Sequence, residues 1–231
     1  MIKAYYKLAK PGIVYGNALM FAAGFFVASS RGIDWPLFFS SLIGLSLIIG
    51  SACTFNNVAD RSMDAKMPRT QKRAIPAGLI STRAALIFGS VLFLLGAATL
   101  FFFSSPLALA ASAIGFFVYV FLYTPLKPKT KYALFVGAVA GAMPPVAGYA
   151  AVTNRFDWIA ALLFALLFLW QLPHFVAIAF YRFEDYRLAG VPLFARAPKN
   201  DRERKIAKQI FAASLVVLLA GCLGTALWRL L

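Results

Sequence analysis

Acid, cysteine and charge of any kind are what this 231-residue chain has least of. Only 13% of its residues are charged and just 8 are Asp or Glu, whereas 61% are hydrophobic and 16% aromatic. A soluble domain carries about 25% charged and about 45–50% apolar residues, so a soluble enzyme, a coiled coil and a disordered chain are excluded. The two cysteines, Cys53 and Cys222, both fall in apolar runs, and neither CxxC nor CxxCH occurs. That leaves no disulfide framework, zinc site or covalent haem attachment, and both cysteines read as packing residues. A mean hydropathy of +0.78 is instead that of an integral membrane protein.

Crossing about 30 Å of hydrocarbon takes about 20 apolar residues. Seven stretches qualify: Ile13–Ser30, Pro36–Phe55, Ala84–Phe103, Pro106–Pro125, Tyr132–Val152, Trp158–Tyr181 and Gln209–Trp228. The first follows Lys3, Lys7 and Lys10 without a small-residue cleavage site after it, so it is expected to stay in the mature protein. Between the spans, long basic segments alternate with short connections, and one side collects 20 of the 23 Lys and Arg. Only Arg31, Arg155 and Arg229 fall on the other. The positive-inside rule makes the basic side cytoplasmic, with the N-terminus inside and the end of the seventh span outside. Topology thus accounts for most of the net charge of +15, and no nucleic-acid partner is expected. The fifth span carries Gly137-x3-Gly141, which permits close helix approach, and then Pro144-Pro145, which breaks its hydrogen-bond ladder. It reads either as an interior wall or as a kink used for packing.

Because ionisable residues are scarce, their positions are informative. Asn56, Asp60 and Asp64 follow one another at steps of four at the end of the second span, and each such step advances only about 40° around a helix. All three therefore project from one face, an unfavourable stripe unless something cationic lies against it. Carboxylate and amide oxygens are hard ligands suited to Mg²⁺, which keeps waters and binds substrate phosphates. Lys66, Arg69, Lys72 and Arg73 come next, and guanidinium groups suit bidentate phosphate contacts. Acid and base in one loop point to a metal-bound diphosphate; the competing reading is a solvated helix end with surface ion pairs. A second cluster closes the sixth span, where His174, Ile178, Arg182 and Asp185 recur at helical spacing. An ionisable residue within the membrane is a functional candidate by default, although a single histidine also serves simply in packing. Lys127 ends the fourth span, balanced between phosphate contact and orientation; Lys129 and Lys131 are ascribed to orientation. Tyr119, Tyr123 and Tyr181 stand near the polar end, where their π faces suit a carbocation and where interfacial aromatics also gather.

These motifs together resemble the UbiA superfamily of intramembrane prenyltransferases, Asn56-x3-Asp60-x3-Asp64 looking like its first aspartate-rich motif. Within it the likeness is strongest to the protohaem IX farnesyltransferase branch. The supporting words are Lys10-Pro11-Gly12-Ile13 with Asn17, the first loop from Phe55 to Arg73, Pro144-Pro145-x2-Gly148-Tyr149, and Trp170-Gln171-Leu172-Pro173-His174-Phe175 through Pro192. The resemblance implies an all-α, polytopic transmembrane helical bundle. It also implies Mg²⁺-dependent transfer of a farnesyl group from farnesyl diphosphate to a vinyl group of haem B, giving haem O. Asn56, Asp60 and Asp64 are then metal and diphosphate ligands, directly or through water, and Arg69, Arg73 and Lys127 diphosphate contacts. Arg182 and Asp185 occupy the place of the second acidic motif, Asp185 as a further metal ligand. His174, Tyr123, Tyr181 and Asn17 are expected around the bound substrates, His174 against haem.

The superfamily fold has nine transmembrane helices, so residues 1–231 are expected to form one prenyltransferase domain lacking the last two. The expected setting is the cytoplasmic (inner) membrane, with membrane lipid, haem A synthase and terminal-oxidase assembly as partners. Alternatives are a related enzyme acting on a quinone precursor or chlorin, and an inactive truncated member. A cation conduit is disfavoured, because every acid except Asp34 and Asp157 lies on the cytoplasmic side and none at mid-bilayer.

Overall fold

A computed structural model describes residues 1–30 and 32–230. Arg31 and the side chain of Arg229, both counted above on the sparsely charged side, lie outside what is described. Among the described residues, seven helical spans are long and apolar enough to cross a membrane, as the hydropathy pattern predicts. A short helix, α1 (Ile2–Leu8), precedes the first span, α2 (Pro11–Ala28). The second, α3 (Trp35–Ala59), runs into a single further turn, α4 (Arg61–Asp64), and the third is α5 (Thr82–Phe103). The fourth comprises α6 (Pro106–Phe117), a π-helical segment (Val118–Tyr123) and α7 (Thr124–Leu126). The fifth is broken into α8 (Ala133–Gly141) and α9 (Met143–Thr153). The sixth, α10 (Trp158–Tyr181), is followed by α11 (Phe183–Leu188), and α12 (Asp201–Leu230) is the seventh.

The helix starts follow local chemistry. The first free amides of a helix need acceptors, and Asp34, Ser81, Ser105 and Asp157 supply them to α3, α5, α6 and α10. Proline at the first turn of α2, α3 and α6 costs no hydrogen bond there.

The broken fifth span is the interior wall. Two thirds of its length is buried, and it packs against the first, second, fourth and sixth spans. Its tightest approach is to α2. A Cβ on Gly148 would stand 2.0 Å from the Phe21 carbonyl oxygen, and one on Gly24 2.0 Å from that of Pro145. Phe21, Phe25, Phe38, Val146 and Tyr149 form the core around that crossing. The Gly137-x3-Gly141 pair does something different from the backbone approach its spacing suggests. Gly137 makes room for the Tyr123 ring and Gly141 for the Gln171 amide, at 2.9 and 2.1 Å from where a Cβ would lie. α12 packs on α10 and back onto α2, so the seventh span lies beside the first.

Candidate active site

Polar side chains converge where α3 ends. Asp60 is the capping residue between α3 and α4, its backbone right-handed helical, so the turn continues through Asp64 and the three oxygen-bearing side chains stay on one side. All are buried, with Asn56 and Asp60 2% exposed and Asp64 1%. Such burial is tolerable only with partners, and each has its own cation. Lys10 Nζ donates to Asn56 Oδ1 at 2.5 Å, Lys127 Nζ to Asp60 Oδ2 at 2.7 Å, and Arg73 Nη1 to both Asp64 oxygens at 2.9 and 2.8 Å. The cationic counterpart that the stripe demands is therefore present, drawn from three separate elements.

One atom is left over. Asp60 Oδ1 is buried and, among the described residues, has no hydrogen-bond partner. A carboxylate oxygen without a donor is suited to a cation. Nowhere among the described residues do three or more His, Cys, Asp or Glu gather as a closed metal cage. An ion held here would thus use two carboxylates and an amide and complete its shell from water or phosphate, the habit of Mg²⁺.

Lys10 belongs to the Lys10-Pro11-Gly12-Ile13 motif, but nothing in the sequence assigns it a contact with the stripe. It joins α1 to α2 in a left-handed conformation, φ 51°, which is sparsely populated for residues other than glycine. That turn carries its ammonium onto Asn56. Burial pushes its pKa down to about 8. For Lys127 burial likewise acts against the charge, but Tyr123 and Asp60 outweigh it and hold the pKa above the usual lysine value. Two further residues became visible only in the fold. Asn57 donates to the Leu8 carbonyl at 2.7 Å, anchoring α1, and Thr124 accepts from Asn56 Nδ2 at 3.1 Å.

The other expected residues divide. Arg69 reaches across to Asp185 at 3.2 Å, and Arg182 stands 3.8 Å from the same carboxylate, so the two acidic segments are tied together through arginine. Tyr119 and Tyr123 stack with centroids 5.2 Å apart on the π-helical segment. Tyr181 belongs elsewhere, packed on Phe211 of α12 and under the Arg182 guanidinium. Asn17 donates to the Ile13 carbonyl of its own helix and, among the described residues, makes no hydrogen bond to the charged cluster.

His174 does not share a face with Asp185 as the spacing suggests. α10 ends at Tyr181 and a new helix starts at Phe183, which resets the register. His174, 8% exposed, faces α12 instead, between the rings of Trp170 and Phe211 and 2.7 Å from Ser214 Oγ. Ser214 Oγ also donates to the Phe211 carbonyl at 2.7 Å, and this hydrogen-bond network assigns the neutral tautomer with the proton on His174 Nδ1 and the lone pair on Nε2.

Beside Asp64 opens a cavity of about 450 Å³ lined by Lys3, Lys7, Arg69, Lys72 and Arg73, with Leu8, Ile75 and Leu79 as apolar wall. A smaller one, about 180 Å³, lies beside Tyr123 and Lys127 under Phe175, Ile178, Tyr186 and Phe194. The stripe and its cations stand between an anion-attracting vestibule and an apolar, aromatic side.

Comparison with known proteins sharpens this. The sequence pattern of the UbiA prenyltransferase family matches residues 17–231. Protoheme IX farnesyltransferase 2 of Chromobacterium violaceum is 44% identical over 223 residues, covering 95% of this chain and 74% of that protein. Protoheme IX farnesyltransferase of Cronobacter sakazakii is 45% identical over 194 residues, covering 84% of this chain and 66% of the relative, just under two thirds of its length. Among solved structures, the fold is similar to digeranylgeranylglyceryl phosphate synthase, with a TM-score of 0.70 at 17% identity over 94% of this chain and 75% of the other. It is also similar to a UbiA homolog from Archaeoglobus fulgidus bound to GPP and Mg²⁺, with a TM-score of 0.67 at 17% identity over 95% of this chain and 77% of that one.

Proposed function

The chain belongs to the UbiA prenyltransferase family, and from that premise we propose that it farnesylates haem B, converting it to haem O with farnesyl diphosphate as donor. The observation that carries the proposal is the buried Asn56, Asp60 and Asp64 stripe with Lys10, Lys127 and Arg73 against it and one carboxylate oxygen unpartnered. Such a site takes a divalent cation and a diphosphate together. The haem acceptor is supported by the names of relatives 44–45% identical over most of the chain. The Mg²⁺ requirement is supported by the hard-oxygen donor set and by the ion in the Archaeoglobus fulgidus relative.

Asn56, Asp60 and Asp64 would hold Mg²⁺, which when bound would supply charge neutralisation for a departing diphosphate. The residues do the rest. Arg73 and Lys127 each already touch a ligand of the stripe, so a small rotation presents the same cation to phosphate oxygen. Arg69 joins the two acidic segments over the site through Asp185 and reaches the same anion. As the allylic C–O bond breaks, its electron pair leaves with diphosphate. The stacked Tyr119 and Tyr123 offer π faces to the resulting cation. Attack by the haem vinyl group forms the new carbon–carbon bond and moves the positive charge to the adjacent carbon. One water adds there and loses a proton, leaving a hydroxyethylfarnesyl side chain. Keeping all other water out is the task of the apolar walls, because a farnesyl cation is otherwise hydrolysed. His174, with Nε2 free to accept, is proposed to contact haem on the side facing α12. Orientation follows from charge: the basic ends carrying the stripe lie on the cytoplasmic side of the inner membrane, and residues 1–231 form one catalytic domain.

The test is to incubate the purified chain in lipid with haem B, farnesyl diphosphate and Mg²⁺ and to look by mass spectrometry for haem heavier by one farnesyl group and one hydroxyl, the elements of farnesol. The product is expected, and is expected to vanish in Asp60→Ala and on chelation. Retained Mg²⁺-dependent farnesyl diphosphate binding without product overturns haem farnesylation by this chain, in favour of another acceptor or an inactive truncated member. Loss of all binding in the wild-type chain overturns the prenyl-transfer site.

A further inference from the structure

Resting on that reading of the site, we propose that Thr124 is a positioning residue whose hydroxyl fixes which end of the Asn56 amide faces the metal and diphosphate. An asparagine amide has an oxygen end and a nitrogen end of almost the same shape, and only the oxygen can ligate a cation. What decides its direction is the surrounding hydrogen-bond network. Here the network has one solution. Lys10 Nζ, a donor with no acceptor capacity, stands 2.5 Å from one end of the amide, which must therefore be Oδ1. At the other end Thr124 Oγ1 lies 3.1 Å away. Its proton is already given to the Tyr119 carbonyl at 2.8 Å, so Oγ1 can only accept, and the end facing it must be Nδ2.

The backbone makes that commitment possible. In an uninterrupted α-helix the Tyr119 carbonyl would take the Tyr123 amide; in the π-helical segment it takes the amide of Thr124, and the Thr124 hydroxyl as well. Extra-residue turns of this kind recur at functional sites. Thr124 is 4% exposed, so both bonds are shielded from bulk solvent. One short stretch therefore delivers four groups to the site: the stacked Tyr119 and Tyr123, the hydroxyl that orients Asn56, and Lys127 on Asp60. Asn56–Thr124 and Asp60–Lys127 are two polar bridges between the same pair of spans, and they set the register in which the ligand-bearing and the aromatic-bearing helices meet.

Groups that orient ligands in this way cost about 10–100-fold in metal affinity or activity when removed. Thr124→Val keeps the shape and deletes both hydrogen bonds, whereas Thr124→Ser keeps both. The readout is Mn²⁺ affinity, followed by electron paramagnetic resonance on the purified chain in nanodiscs with farnesyl thiodiphosphate, an unreactive donor analogue. Circular dichroism confirms folding, and Thr124→Ala replaces the valine variant if that does not fold. The expected result is Mn²⁺ binding about 10-fold or more weaker in Thr124→Val and within about 3-fold of wild type in Thr124→Ser. In an Asn56→Ala background, Thr124→Val is expected to weaken binding no further, because there is no amide left to orient. Wild-type Mn²⁺ affinity in Thr124→Val, with Asn56→Ala weakened, overturns the role of Thr124 alone. So does a full additional loss in the double variant. Unchanged Mn²⁺ affinity in Asn56→Ala overturns the metal reading of the stripe, and this inference with it.

Discussion

Lys127→Met separates what the site's cations do for folding from what they do for chemistry. Methionine keeps most of the unbranched stem and removes the charge, so Asp60, already without a donor at Oδ1, loses its partner at Oδ2 as well. At 2.7 Å the gross attraction of two unit charges is about 6 kcal/mol at an effective dielectric constant of about 20. Most of this offsets the cost of taking both groups out of water, but breaking only one side of such a pair leaves a buried charge alone, which typically costs about 3–5 kcal/mol. For a chain of this size that corresponds to a fall in melting temperature of about 6–20 °C. Removing both charges, in Lys127→Met with Asp60→Asn, should restore most of it, since no unpaired ion is left. Thermal unfolding of the four proteins in one detergent, followed by circular dichroism, gives the coupling as a double-mutant cycle. Activity should behave oppositely and be lost in both single variants and in the pair. Lys127→Met melting within 2 °C of wild type, or losses that simply add, would refute the reasoning, because the ammonium would then not be holding the buried carboxylate.

Other expectations follow from the same structure. Gly148→Ala puts a methyl group 2.0 Å from a backbone oxygen of α2, which no rotamer relieves; the variant should melt far lower or fail to accumulate. Gly16→Ala, with nothing within 4 Å of its Cβ, should match or slightly exceed wild-type stability, alanine being the better helix former by about 1 kcal/mol in water. Asp185→Asn removes partly exposed ion pairs to Arg69 and Arg182 and should change stability by less than about 1 kcal/mol, while lowering farnesyl transfer because the two acidic segments come apart; unchanged turnover would remove Asp185 from the site. Cys53, 1% exposed, should resist a bulky maleimide in the folded protein and react once the chain is denatured, as mass spectrometry of labelled samples will read directly.

What could be read without the fold is whatever depends on neighbours along one chain. Apolar length fixed six of the spans to within four residues, because hydrocarbon thickness is a one-dimensional constraint, but the seventh helix starts at Asp201, eight residues before its apolar run, its first turns being polar and charged. Pro144-Pro145 marked the break in the fifth, because proline removes its own donor. The spacing of Asn56, Asp60 and Asp64 placed three oxygens on one face, since helical periodicity is local, and their like polarity implied opposing charge without saying whose. Helix α10 shows where this reasoning stops. Periodicity extended through Arg182 puts His174 and Asp185 together, but the helix ends at Tyr181 and His174 turns to α12.

Tertiary structure decided which cations met the stripe. Lys10, Arg73 and Lys127 are 46, 9 and 67 residues from their partners; the motifs mark Arg73 and Lys127 as phosphate contacts, but which stripe residue each cation meets is not written in the local sequence. It also decided that Gly137 would seat a tyrosine ring, that a π-helical turn would face Thr124 toward Asn56, and that one oxygen of Asp60 would be left over for a cation. Each of these depends on where separate helices cross, and the crossings are set by the packing of whole faces, a property that no single segment of the chain carries.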